Sequence, residues 1–257
     1  MQRALRCLGL ILFAGVFCNV HGQGFGSISV SLTHNRPFGD FAAVDANSIS
    51  GFAKPGLGLT IGGSFQSQGE FLNVGLASEF RSGWQGVQHG LLEQYMEDSY
   101  DLPQAYQSEY TNQRKRWGLY SLLAGPLFAW HNGPLVLEAR FLIGRLDTGN
   151  PYYTVDNGNY IPRGWSKFFI NEDNETPWSS RRWNFAYSPK LSLLIPMGES
   201  FGWRLEGSML MSKVTQEMEV IDVVEENGGY VFQRRQERFH QRVRLWSVGI
   251  GIYANFY

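Results

Sequence analysis

The chain has 257 residues, with 22 Lys and Arg against 23 Asp and Glu, a formal net charge of −1. That balance offers no basic excess for nucleic acid, and no stretch after residue 22 reaches the 18 consecutive apolar residues of a spanning helix. A mean hydropathy of −0.24 would ordinarily read as soluble. Hydropathy is nearly blind to membrane strands, however, and 30 glycines with 15% aromatic residues suit an all-β chain.

At the start, Arg3 and Arg6 precede an apolar run from Cys7 to Cys18, and Asn19-Val20-His21-Gly22 follows. Charge, short apolar core and small-residue exit make a secretory signal peptide. The core is too short for a membrane helix of about 20 residues. Residues 1–22 are expected to be removed, leaving 23–257, and Phe17 before Cys18 does not fit a lipoprotein signal. Both cysteines leave with that segment, so the mature chain has no thiol, disulfide or Cys-based metal site, and no cofactor is expected. Loss of Arg3 and Arg6 takes the basic side chains from 22 to 20 against 23 acidic ones.

Eight segments then alternate with the period of two that marks a strand with unlike faces. The first, from residue 23, sets Ser27, Ser29, Ser31 and Thr33 against Ile28, Val30 and Leu32, and 33–51 follows as a loop with Pro37. The second, 52–66, puts Leu57, Leu59, Ile61 and Phe65 opposite Gly56, Gly58, Thr60, Gly62 and Ser64. Ser67-Gln68-Gly69-Glu70 has the composition of a tight turn. The third, 71–81, sets Leu72, Val74, Leu76 and Phe80 against Asn73, Glu79 and Arg81; a long loop, 82–116, follows, in which 91–96 reads as a short helix. The fourth, 117–130, is apolar on both faces, so its pattern leaves open which face points inward.

After the turn His131-Asn132-Gly133-Pro134, the fifth segment, 135–146, places Leu135, Leu137, Ala139, Phe141 and Ile143 opposite Glu138 and Arg140. A second long loop spans 147–181. The sixth, 182–196, sets Trp183, Phe185, Tyr187, Leu191, Leu193 and Ile195 against Asn184, Ser188, Lys190 and Ser192. A third short turn covers 197–201. The seventh opposes Trp203, Leu205, Met209 and Met211 to Arg204, Glu206, Ser208 and Ser212, and runs to about residue 224. A turn at 225–229 leads into the eighth, which ends with Trp246, Val248, Ile250, Ile252, Ala254 and Phe256 in one row. Ser247, Gly249, Gly251, Tyr253, Asn255 and Tyr257 make the other row.

A last strand of this kind, closing on Phe256 and Tyr257, resembles the closing strand of bacterial outer-membrane barrels. In that family the barrel-assembly machinery reads this end, which implies an assembly signal in Trp246, Ile250, Ile252, Phe256 and Tyr257. The connections alternate long and short, as expected of an up-and-down barrel with both termini in the periplasm. A β-sandwich has no reason to sort its connections by parity. Residues 23–257 are thus similar to small eight-stranded barrels of the OmpA/OmpX-like type, and a signal segment ending before Gln23 with a terminal aromatic suggests a Bacteroidota-like member. The resemblance implies an all-β, single antiparallel transmembrane barrel surrounded by outer-membrane lipid in a Gram-negative bacterium.

In such a barrel the polar row faces the lumen, and its charges are Glu79, Arg81, Glu138, Arg140, Lys190, Arg204 and Glu206. On the lipid face a midplane Arg or Lys costs about 2–4 kcal/mol, whereas inside the charges can pair. Eight strands leave an interior just wide enough for side chains, so the network reads as structural filling, with a proton or ion path as the competing reading. The loops hold Tyr95, Tyr100, Tyr106, Tyr110, Tyr152, Tyr153, Tyr160, Trp165, Phe168, Phe169 and Trp178. These could form a binding surface, pack the loops together, or sit in the interfacial girdle.

Barrel phospholipases and lipid A deacylases carry a His-x-Ser pair. His34, His89, His131 and His240 are followed instead by Asn-Arg, Gly-Leu, Asn-Gly and Gln-Arg. Asn174-Glu175-Thr176 matches a glycosylation sequon without meaning for a bacterium. The expected role is therefore non-enzymatic: envelope structure, surface interaction, or an accessory subunit that meets another envelope protein through the loops. A narrow pore and a lipid-modifying enzyme are the alternatives.

Overall fold

The computed structural model describes residues 24–44, 51–67, 69–88, 90–91, 110–114, 116–149, 152–155, 184–226 and 229–256. In chain order the strands are β1 (Gly24–Pro37), β2 (Ala53–Ser67), β3 (Leu72–Val87), β4 (Tyr110–Arg114) and β5 (Arg116–Asn132). Then come β6 (Leu135–Gly149), β7 (Tyr152–Val155), β8 (Asn184–Pro196), β9 (Phe201–Glu226) and β10 (Gly229–Phe256). A 3-10 turn lies at Gly39–Phe41. Eight strands close an antiparallel barrel in the order β1-β10-β9-β8-β6-β5-β3-β2, while β4 and β7 pair as a separate two-stranded sheet.

Closure follows from the sequence pattern. Except for β5, whose two faces are both apolar, the barrel strands are apolar in one row and largely polar or small in the other, and a closed sheet can turn the apolar rows outward without leaving an unpaired edge. The seam pairs the first and last strands, with Val30 opposite Ile252 and Leu32 opposite Ile250 outside, and Ser31 opposite Gly251 inside. A side chain at Gly251 would meet the Val30 carbonyl at 2.2 Å and Ser31 Oγ at 2.4 Å, so this seam requires glycine. On the other side β1 pairs with β2, Val30 facing Ile61 and Ser31 facing Thr60.

The outer face exposes Ile28, Val30 and Leu32 on β1, Leu137, Phe141 and Ile143 on β6, and Leu191 on β8. Trp203 and Leu205 on β9 and Val248, Ile250 and Ile252 on β10 continue the belt. Aromatics edge it: Phe128 stacks on Trp130 near the short turns (centroids 6.4 Å apart), and Phe38 meets Trp246 near the long loops at 6.0 Å. An exposed apolar band of this extent has no place in water.

The expected strand ends are corrected outward. β1 runs on to Pro37, with Asn35 buried and His34 and Arg36 exposed, so only part of 33–51 is loop. β3 continues to Val87 and β6 to Gly149, and Tyr110–Arg114 pairs with Tyr152–Val155 within the stretches 82–116 and 147–181 that read as long loops without strands. Past the lipid a strand keeps its backbone ladder while both faces become polar, so the polarity change in the sequence marks the membrane boundary rather than the strand end. Gly90 and Leu91 are helical; the rest of 91–96 lies outside the described residues, as do 1–22 and Tyr257. β5 resolves the ambiguous face: Leu119, Leu123 and Leu127 point inward and are buried, while Phe128 and Trp130 are exposed.

Candidate functional site: a charge chain beneath an apolar cork

Three strands each carry an acid–base pair two residues apart. Period-two geometry puts both members on one face, and the structure turns that face inward for Glu79–Arg81 on β3, Glu138–Arg140 on β6 and Arg204–Glu206 on β9. The in-strand distances are 3.0, 2.8 and 3.0 Å. Lys190 on β8 joins the pairs. Its Nζ donates to Glu79 Oε1 across the lumen and lies 2.8 Å from Glu206 Oε2. Arg204 Nη2 reaches Glu138 Oε2 at 3.0 Å.

The seven side chains therefore form one chain of alternating sign, running Arg81, Glu79, Lys190, Glu206, Arg204, Glu138, Arg140. Hydroxyls from other walls brace it. Ser31 Oγ donates to Glu206 at 3.1 Å, Arg204 donates to Ser192 Oγ at 2.7 Å, and Arg81 Nη1 donates to Ser208 Oγ at 3.2 Å. Arg81 retains 11% side-chain exposure; the other six have 3% or less. Charges this deeply buried hold only when each has opposite charge and hydrogen bonds around it.

Toward the long-loop end the lumen becomes apolar. Leu119, Leu146, Leu210, Leu245, Val214 and Val243 line it, and Trp117 stands above them. The described ends of the connection between β1 and β2, 38–44 and 51–52, cover this mouth: Phe41 and Phe52 are fully buried, and Phe41 meets the Trp117 ring edge-on at 5.2 Å. Trp117 Nε1 donates to the Gly51 carbonyl at 3.0 Å. Phe52 adopts φ 50, a left-handed backbone rare for a bulky residue. Its N–H donates to the Ala43 carbonyl and its own carbonyl accepts from Gln88 N–H, at 3.0 and 2.8 Å. Tertiary contacts hold that strained turn, which costs on the order of 1–3 kcal/mol.

Sequence reasoning reads 33–51 as polar loop and misses this cork. The available signal is two isolated phenylalanines, Phe41 and Phe52, beside a strand whose inward row is Trp117, Leu119 and Leu123. The bracing serines belong to the inward rows but carry no mark of their partners.

Other candidate residues stand apart from the lumen chain. Trp246, Ile250, Ile252 and Phe256 lie on the outward row of β10. His34 is exposed, His131 Nε2 lies 2.9 Å from Asn73 Nδ2 at the short-turn end, and His240 Nδ1 lies 3.1 Å from Thr215 Oγ1. His89 falls outside the described residues. Among the described residues, no three His, Cys, Asp or Glu side chains gather as metal ligands.

No protein-family model matches the chain, and no curated protein matches it. Solved structures do match. The attachment invasion locus protein Ail of Yersinia pestis aligns over 91% of this chain and 99% of its own at 12% identity, TM-score 0.44. Neisserial surface protein A aligns over 90% and 97% at 8% identity, TM-score 0.41. The outer membrane protein OprG from Pseudomonas aeruginosa aligns over 92% and 97% at 8% identity, TM-score 0.42. The eight-stranded barrel of this chain rests on its own strand register.

Proposed function

We propose that the protein is a non-enzymatic outer-membrane barrel of a Gram-negative envelope, with its termini in the periplasm, and that its role lies outside the barrel wall. It serves as a surface-interaction protein or as an accessory subunit of a larger envelope complex. The observation that carries this reading is the lumen, crossed by the seven-residue charge chain and covered by Phe41, Phe52 and Trp117. A barrel filled at two levels works as an anchor. The apolar belt with aromatics at both edges supports the membrane, and short turns beside the termini support the orientation.

The β9–β10 hairpin is the described element that reaches furthest. β8 pairs with β9 only as far as Ser212, and β1 pairs with β10 only from Leu245 onward. The β9–β10 register nevertheless continues from Gln216 opposite Phe239 to Glu226 opposite Gly229. At roughly 3.3 Å per residue this gives a ribbon of about 35 Å beyond its barrel neighbours.

The test is a pull-down from gently solubilised envelopes, run with the intact chain and with a chain in which 216–239 and the two long loops become short Gly-Ser linkers. Loop length itself costs little, so the shortened barrel should fold and insert. It should lose the partner that the intact chain captures. Equal capture by both chains would return the role to the barrel wall. Planar-bilayer steps of nanosiemens size would favour the pore instead, and altered lipid A acylation would favour an enzyme.

A further inference from the structure

On one side of the barrel the outer surface passes from apolar to cationic within two residues. Along β10 the outward row runs Ile252, Ile250, Val248 and Trp246, all exposed, and continues with half-buried Arg244 and exposed Arg242. The same row reaches exposed Lys213 on β9 and exposed Arg36 on β1. Register gathers these four cations. Lys213 lies directly opposite Arg242, and Arg36 lies opposite Trp246. Like charges directly opposite on a sheet repel. Among the described residues none of the four makes an ion pair, and Asp40 on the adjacent 3-10 turn pairs with none of them. Elsewhere on the wall the balance differs, since Arg145 on β6 holds Asp147 at 2.7 Å. Exposed Lys54 and Arg116 stand on β2 and β5 on either side of Gly86, so a whole strand separates them.

Height identifies the missing counter-charge. An exposed Trp above an apolar row marks the level where hydrocarbon gives way to headgroups. Two residues along a tilted strand climb about 5 Å. Arg36 is therefore level with Trp246, Arg244 stands about 5 Å further out and Arg242 about 10 Å, and their long stems let the charged ends move toward one another. Lipid phosphates occupy this layer, and guanidinium groups bind phosphate through paired hydrogen bonds. Four unneutralised cations suit a doubly charged phosphate monoester better than a singly charged diester. We propose that Arg36, Lys213, Arg242 and Arg244 bind the phosphomonoester headgroup of one membrane lipid at the long-loop end, with its acyl chains along Trp246, Val248 and Ile250. The inference rests on the reading of the barrel as membrane-embedded.

The experiment uses the refolded full-length mature chain in uncharged maltoside micelles. Native mass spectrometry counts the lipid retained from micelles carrying phosphatidic acid, or phosphatidylglycerol at matched total charge, with sodium phosphate as the free anion. One phosphatidic acid per barrel is expected, held in preference to both. Lys213→Gln with Arg242→Gln should weaken that retention about thirtyfold, while Arg145→Gln should leave it unchanged. In maltoside alone the double variant should be more stable than the parent, because a repulsion is relieved, and phosphatidic acid should reverse that order. Should the double variant fail to fold, Arg36→Gln tests the same loss at smaller size. Equal retention of phosphatidylglycerol, competition by free phosphate at equal concentration, or a loss caused only by Lys54→Gln with Arg116→Gln would each overturn the assignment. Insertion into phosphatidylcholine vesicles separates the two readings: a barrel that inserts but shows no lipid preference refutes this site alone, and one that does not insert refutes the membrane reading as well.

Discussion

The two halves of the lumen solve one packing problem by opposite means. Near the short turns the interior is built around charge, with six side chains of the network at 3% exposure or less packed beside Leu123 and Leu127. Near the long loops it is filled by hydrocarbon, as Leu119, Leu210, Val214 and Leu245 gather under Phe41, Phe52 and Trp117. The charged half locks geometry through directed bonds and fails sharply when one partner is removed. The apolar half has no fixed partners and fails in proportion to the volume lost. Position explains the division. The charged layer is supplied by residues on the barrel wall itself, whereas the cork comes partly from the described ends of the β1–β2 connection.

The largest expected effect breaks the charged half. Glu138 is shared by Arg140 and Arg204, so Glu138→Leu strands the buried Arg140 guanidinium and leaves Arg204 with Glu206 as its one carboxylate, and should destabilise by about 3–5 kcal/mol. Adding Arg140→Met should recover part of that loss, and urea unfolding of the refolded barrel measures both; a double variant worse than the single would count against a coupled chain. In the apolar half, Trp117→Ala should cost about 3–5 kcal/mol through cavity formation. Because the charge chain persists beneath, single-channel recordings of that variant should stay silent, and a current would mean that the cork alone seals the lumen.

The outer wall sharpens the contrast between inside and outside. Ile250→Arg places on the exposed β10 row the kind of charge that the lumen tolerates, and should cost about 2–4 kcal/mol if the site lies at mid-bilayer. Folding titrations in lipid vesicles read this directly, and a neutral result would deny that the row faces lipid. The smallest effect belongs to Arg145 and Asp147 on the long-loop end of β6, 2.7 Å apart but part-exposed. Asp147→Asn should change stability by less than about 1 kcal/mol, which thermal unfolding can bound.

Except on β5, the sequence by itself determined the faces. Alternation along each strand separates Val30 from Ser31, Leu193 from Lys190 and Ile250 from Gly251, because successive strand side chains must point to opposite sides and one side meets lipid. It also determined which charges share the lumen, since each i, i+2 acid–base pair lies within a single row. Tertiary structure decided the rest. Which inward charge meets which depends on strands far apart in the chain crossing a closed interior, as Lys190 does to Glu79. The inward face of β5 could be read only once its neighbours fixed the register, because Leu119 and Leu122 are equally apolar. The cork was illegible because nothing local drives Phe41 and Phe52 inward. The closed barrel must first offer Trp117 and an apolar mouth, and burial there outweighs the left-handed backbone that Phe52 has to adopt.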